Sequence, residues 1–453
     1  MKKFLFFYTL LFFILTLNSL FADSDFHETG QIDIGMHCSY LTLSPDGKNL
    51  FIVNDLEVGQ NSDNKGSIFV YNTEDNTHKG TIDLDAGIPF QIDISPDNKF
   101  AYLAVSKRSG NLRTSGANRV DIIDLQSYRI IKSIFTGGSE YGPIGLKTTP
   151  DGSKVIVSHR GSNIVFIINT STNEIIKSIS LNRRSTPIDL DVTPDSNRAY
   201  VANRYNSTVS LIDIKSNKLL TNISLSLPKS GSTTSIKITA NGKFAYVTYS
   251  ESNSIAVVDT NPESVTYNKQ IKVIRTTGGK LGSVAILDDK LILVADREND
   301  EIVAIDINPN SINYHKEIDR IEINGENPYD IIIQELPFAV AYASTSSTIS
   351  IIDYFFNHCT DTDSDGVIDQ WDKCPETPLN SYVNRYGCPE NDNSAIAGRI
   401  TIKGHPLNNG TATLIQSGEL FQKSSLDNNG YFKFNRVSED KSINIMIRRS
   451  VEE

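Results

Sequence analysis

The sequence predicts an all-β chain: a seven-bladed β-propeller followed by a spacer and a small C-terminal β-sandwich module. Three observations predict it. Residues 186–225 read as four short strands, at 188–192, 199–202, 208–212 and 219–223, with period-two alternation and turn residues between them. The third strand ends in two apolar residues and an Asp or Asn. That mark recurs at Asn72, Asp124, Asn169, Asp213, Asp259, Asp306 and Asp353, in steps of 44 to 52 residues. The second strand recurs as AYL at Ala101, AYV at Ala199 and Ala245, and AYA at Ala341. Its preceding turn recurs as SPDG at Ser44, SPDN at Ser95, TPDG at Thr149, TPDS at Thr193 and TANG at Thr239. A four-stranded unit cannot bury both faces alone, so it needs copies on either side. Antiparallel quartets at this period favour a propeller over a solenoid.

The ends of the array predict how the ring closes. The seventh unit has strands at 330–334, 339–343 and 348–352, and no matching fourth strand follows. HETGQIDI, ending at Ile34, resembles THKGTIDL, ending at Leu84, which closes the first unit. Residues 31–34 are therefore expected as the fourth strand of the last blade, covering an edge that would otherwise be free to aggregate.

AYVAN at Ala199 and AYVTY at Ala245, followed by VSLID and IAVVD, are similar to the YVTN-type repeats of secreted and surface-layer β-propellers. The resemblance covers residues 30–356. It implies the fold and says little of chemistry, because related propellers include lactonases, haem proteins and binding modules.

The chain has 453 residues, 39% hydrophobic and 21% charged, a globular composition with room for more than one domain. Its formal net charge of −11 argues against broad nucleic-acid binding through phosphates. Residues 1–22 read as a cleaved secretory signal. Lys2 and Lys3 open it, residues 4–17 are apolar, and a small residue, Ala22, stands at the cut. That apolar run is shorter than the ~20 residues a membrane span needs, and no transmembrane segment is expected in the mature chain. A secreted, periplasmic or cell-surface location follows.

Export favours disulfides. Four cysteines allow three pairings. Cys374 and Cys388 are close in sequence, and Cys38 and Cys359 flank the expected seam of the ring, so the fold argument selects Cys374–Cys388 and Cys38–Cys359.

Between the propeller and the C-terminal module, carboxylates stand at Asp361, Asp363, Asp365, Asp369 and Asp372, with Gly366 at position 6 and the Val367 carbonyl at position 7. A hard cation needs six to eight oxygens, and this is the ligand spacing of a Ca²⁺ loop. Position 12 is Asp372 where Glu is usual. The alternative is a solvated acidic linker. Residues 361–392, within the 359–392 spacer, resemble a thrombospondin type-3 repeat, which implies Ca²⁺ binding and a stiff connector. Residues 395–453 resemble carboxypeptidase-regulatory-like β modules through Gly398, Pro406-Leu407, the turn at 427–430 and the strand at 431–434.

In a propeller, the loop between second and third strands lies at the channel mouth. Nine residues before each mark this loop holds Arg160, Arg204 and Arg297, with Ser250 and Ser344 in blades five and seven. Lys107 and Arg108 lie near the same place in blade two, and Arg183, Arg184 and Arg275 belong to inter-blade loops. Such a cluster on an acidic protein would attract an anion. Of seven histidines, only His159 falls in an expected mouth loop, and no orienting partner is visible for it. The sequence has no Cys-x-x-Cys-His, nucleophile elbow or phosphate loop.

Two functions are open. One is an exported, non-enzymatic Ca²⁺-binding propeller that serves as a binding or adhesion platform, with a protein, glycan or anionic ligand at its mouth. The other is a propeller hydrolase of lactonase type using His159 and Arg204. Clustering of His159 with a carboxylate and Arg204 around one deep pocket would favour the second, and a flat, wet, arginine-edged mouth the first.

Overall fold

The computed structural model describes residues 26–354, apart from 56–65, 74, 108–117, 139–140, 227–231, 251 and 335–339, together with seven strands between 395 and 449. The chain divides into two units, 1–355 and 356–453.

The first unit is a seven-bladed β-propeller. Its seven sheets have four antiparallel strands each, in the order first to fourth. Residues 186–225 form blade four, with strands Pro187–Val192, Arg198–Asn203, Thr208–Asp213 and Lys218–Ser224. First strands of successive blades touch all the way round, from Tyr40–Leu43 in blade one to Ile331–Gln334 in blade seven and back. Second strands are almost wholly buried, as in Lys154–His159 of blade three, whereas its fourth strand Glu174–Ser180 buries one residue, Ile179. The core therefore lies between blades: Ile156, Val165 and Ile167 of blade three pack on Leu190, Val192 and Val201 of blade four.

Ring closure is as expected, with a longer strand. Phe26–Asp33 pairs antiparallel with Thr348–Tyr354 and makes the fourth strand of blade seven. The pairing starts five residues before the expected 31–34 because Thr348–Tyr354 runs on to Tyr354, and backbone pairing is indifferent to the polar HETG side chains. Ile32, Ile349 and Ile351 then pack with Leu41, Leu50 and Ile52 of blade one, sealing the seam.

The repeated turn owes its sequence to its hydrogen bonds. The opening hydroxyl donates to the third residue: Ser44 to Asp46 (2.6 Å), Ser95 to Asp97 (2.7 Å), Thr149 to Asp151 (2.5 Å) and Thr193 to Asp195 (2.5 Å). The fourth residue adopts a positive φ, from 58° at Asn98 to 70° at Gly242, which explains the preference for Gly and Asn there. Asp97 is held below the usual carboxylate range, chiefly by the Ser95 hydroxyl.

Every fourth strand carries a β-bulge at the same place. The extra residue is Thr29, Lys79, Ile131, Ile176, Leu220, Ile271 or Ile318, according to the blade. The five aliphatic ones are all exposed.

In the second unit, Gly410–Gln416 lies between Glu419–Ser425 and Ile443–Arg449, and Ala395–Arg399 pairs with Tyr431–Asn435. The carboxylates Asp361 to Asp372, Val367, Cys359, Cys374 and Cys388 lie outside the described residues. Cys38 is fully buried as a free thiol, 3.3 Å from the Met36 carbonyl oxygen that it donates to, and burial pushes its pKa up to about 12. Among the described residues no helix is long and apolar enough to cross a membrane.

Candidate ligand-binding mouth

A cavity of about 240 Å³ opens where first strands begin and second strands end. Blade register sorts its lining into three levels. At the rim stand Arg160, Arg204, Ser250 and Arg297, each just after a second strand, with Lys280 from an inter-blade loop. Each backbone N–H at these four positions donates to the preceding inter-blade segment: Arg160 to Gly142, Arg204 to Thr186, Ser250 to Ser232 and Arg297 to Lys280. The same local fold thus delivers each rim side chain to the same place.

Below the rim come Phe90, Ile144, Ile188, Thr234, Gly282 and Tyr329, equivalent positions in blades two to seven. Gly282 is required there, because a Cβ would sit 2.6 Å from the Tyr329 carbonyl oxygen. One residue further in lie Tyr40, Gln91, Asp189, Ser235, Ser283 and Asp330.

The three arginines share a support. The guanidinium of Arg160 lies 4.8 Å from the Tyr141 ring centre, that of Arg204 5.6 Å from Tyr205 and that of Arg297 4.9 Å from Tyr329. Arg297 Nε also donates to Asn327 Oδ1 at 3.0 Å. Arg204 Nε is buried with no hydrogen-bond partner among the described residues. No described carboxylate pairs with any of the three.

The inner carboxylates are occupied by the fold. A first strand is a sheet edge, so its outward N–H groups need partners. The preceding blade supplies them. Leu146 N donates to Gln91 Oε1 (2.8 Å), Ile236 N to Asp189 Oδ2 (2.9 Å) and Leu41 N to Asp330 Oδ2 (2.9 Å), the last across the seam. Deeper, Thr148 N donates to Asp93 Oδ2 (2.7 Å) and Ile238 N to Asp191 Oδ2 (2.8 Å). Gln91 Nε2 and Ser235 Oγ also donate to Asp189, at 2.6 and 2.8 Å. Burial raises the carboxyl pKa of Asp191 and Asp330, and Asp93 beside Lys147 raises that of the ammonium.

The structure brings Arg160, Arg204 and Arg297 together and leaves His159 out. His159 is the last residue of its strand, not a loop residue, and is 1% exposed. Its Nε2 lies 3.1 Å from the Gly137 carbonyl oxygen and its Nδ1 2.8 Å from Ser162 Oγ. The carbonyl can only accept, so Nε2 carries the proton and Nδ1 accepts from Ser162. Burial lowers its pKa and keeps the ring neutral. The cause is strand alternation: the residue before the rim arginine faces the blade interior, where His159 packs edge-on against Phe166. Ser344 is buried and donates to the Asp330 carbonyl. Lys107, Arg183, Arg184 and Arg275 are exposed and do not line the cavity, and Arg108 lies outside the described residues.

Sequence reasoning missed Lys280, the aromatic residues and the inner carboxylates. A signal existed for the carboxylates: PIDLDV, FQIDI and YDIII place acids inside otherwise apolar strands.

The chain matches no known protein-family model. A 31-residue stretch is 58% identical to outer membrane porin F of Pseudomonas aeruginosa, covering 7% of this chain and 9% of the porin. Among solved structures, hydrazine synthase of Kuenenia stuttgartiensis is similar at a TM-score of 0.57 and 19% identity, over 71% of this chain and 96% of that one. A catalytically inactive virginiamycin B lyase from Staphylococcus aureus, solved with quinupristin, has a TM-score of 0.57 at 13% identity, over 72% and 99%. These identities speak for the fold alone: the chain carries a seven-bladed β-propeller.

Proposed function

We propose that this is an exported binding protein, non-enzymatic, whose propeller mouth takes an anionic ligand. The observation that carries the reading is the convergence of Arg160, Arg204 and Arg297 on one cavity, each stacked on a tyrosine and none neutralised by a described carboxylate. The location rests on the signal-like residues 1–22 and on the short likeness to an outer membrane porin. The spacing of Asp361, Asp363, Asp365, Asp369 and Asp372 supports Ca²⁺ as the cofactor of the spacer, with the Val367 carbonyl as a further ligand and Cys374–Cys388 closing the loop exit.

Titration calorimetry of the secreted chain tests both parts. Small anions should bind, and Arg160→Ala with Arg204→Ala should abolish that heat while leaving Ca²⁺ binding intact. Ca²⁺ should bind with a Kd on the order of 10⁻⁴–10⁻³ M, the range of extracellular modules, and Asp363→Ala with Asp365→Ala should remove it.

A second reading, a propeller enzyme acting at the same mouth, draws on the fold likeness to virginiamycin B lyase and on Asp189 and Arg204 lining one cavity. Both ring nitrogens of His159 are engaged elsewhere, which weighs against a lactonase-type site built on it. Turnover of a lactone by the wild type, lost in Arg204→Ala, would establish the enzyme instead.

A further inference from the structure

We infer that the mouth selects a small monoanion with a single aromatic ring, an aromatic carboxylate. This rests on the reading of the mouth as an anion site and names the rest of the ligand. Among the described residues the rim cations come from blades three, four and six. Among the described residues the opposite arc, blades seven, one and two, presents the aromatic side chains Tyr329, Tyr40 and Phe90. Tyr40 meets Phe90 edge-on at 6.2 Å and 62°, and meets Tyr329 edge-on at 5.5 Å and 86°. The Tyr40 and Tyr329 hydroxyls lie 3.3 Å apart, which fixes both rings. Tyr329 also carries the Arg297 guanidinium, so the aromatic arc begins where the cationic arc ends.

Each level restricts the ligand. The rim supplies charge for one anionic group, since no described carboxylate pairs with Arg160, Arg204 or Arg297. The middle level offers ring faces and edges, which prefer a flat π-system to an aliphatic body. The innermost level includes Asp189 and Asp330, whose oxygens already accept from the fold. Acceptor oxygens already engaged by the fold offer no donor to a second anionic group, so the first one is oriented outward to the arginines. The volume, about 240 Å³, suits one ring and its carboxylate, below the range of about 300–1,000 Å³ typical for larger ligands.

The test is calorimetry of the full secreted chain with phenylacetate, acetate, cyclohexylacetate, benzyl alcohol and inorganic phosphate. Phenylacetate should bind at least tenfold more tightly than each of the others. Phe90→Ala should bring phenylacetate down to the acetate level and leave acetate unchanged. Arg204→Ala should weaken every anion at least tenfold. Phe90→Leu, which retains bulk, and Arg160→Gln serve if the alanine variants fail to fold. Acetate, phosphate or cyclohexylacetate binding as tightly as phenylacetate would overturn the aromatic selection and leave the anion reading standing. Benzyl alcohol binding as tightly, no binding by any anion, or an Arg204→Ala variant that binds as the wild type does would overturn both.

Discussion

Each blade has two edge strands, and the chain protects them in opposite ways. The inner edge, facing the channel, is flat and paired through side chains: Gln91, Asp93, Asp189, Asp191 and Asp330 accept N–H groups of the next blade. The outer edge, facing solvent, is left unpaired and bent by a bulge in all seven blades. A bulge interrupts the row of donors and acceptors that another chain would pair with. The contrast shows why the same edge problem yields conserved geometry outside and specific polar side chains inside. At the inner edge the neighbour supplies acceptors along the strand itself, whereas at the outer edge they reach only residues just past the strand, as Gln270 does at Ser226 N, Glu317 at Thr277 N and Glu28 at Asn324 N.

The comparison can be broken most severely at the seam. Deleting residues 26–33 would leave Thr348–Tyr354 as an outer edge without a bulge and expose Ile349 and Ile351. We expect the shortened chain to self-associate, read by light scattering after size exclusion, whereas the intact chain stays monodisperse.

The next largest effect tests the inner edge. Asp189→Leu strands the Ile236 N–H and releases Gln91 and Ser235, and should cost about 3 kcal/mol, since a hydrogen bond to a charged group contributes about 1.5–3 kcal/mol. Asp189→Asn retains one acceptor and should cost less than half as much. Denaturant midpoints of the two variants measure the difference.

A smaller effect concerns pH. His315, between strands of blade six, stacks on Tyr314 with ring centres 3.8 Å apart, and its Nε2 lies 3.2 Å from the Tyr246 hydroxyl. Burial first, then Lys272, lowers its pKa to about 4. Above pH ~6.5 both folded and unfolded chains leave this ring neutral. Between ~6.5 and about 4 only the unfolded chain takes up the proton, so stability falls as pH falls through that window. The drop in melting temperature from pH 7 to pH 4.5 should be smaller in His315→Gln.

The least effect is expected at the outer edge. Ile176→Lys alters an exposed bulge residue and should change stability by no more than about 0.5 kcal/mol. Deleting Ile176 keeps Ile175 opposite Ile168 and Lys177 opposite Ile167 but removes the bulge, so the strand loses its local bend and twist and should be destabilised more. Thermal melts of the two variants side by side sharpen the distinction between side chain and bulge.

Much of this was legible before any coordinates. The recurrence of Asn72 to Asp353 counted the blades, and the likeness of HETGQIDI to THKGTIDL located the closing strand, because each blade repeats the same local problem in the same residues. The offset of nine residues found three of the rim cations for the same reason. Lys280 escaped because it sits in a loop with no fixed offset from the mark. His159 was misjudged by one residue, and one residue in a strand is a change of face.

Periodicity and turn chemistry by themselves determined the all-β class, the blade number and the seam. These are local choices repeated along the chain, and a repeat is visible in one dimension. Only the tertiary structure decided which polar residues meet. Gln91 of blade two reaches Asp189 of blade four across 98 positions, and Tyr40 reaches Tyr329 across 289, because the closed ring gathers its first strands around one mouth and sets blade one beside blade seven. No spacing in the sequence encodes such distances. They follow from closing seven sheets around one axis, and that closure turns scattered arginines, tyrosines and buried acids into a layered mouth.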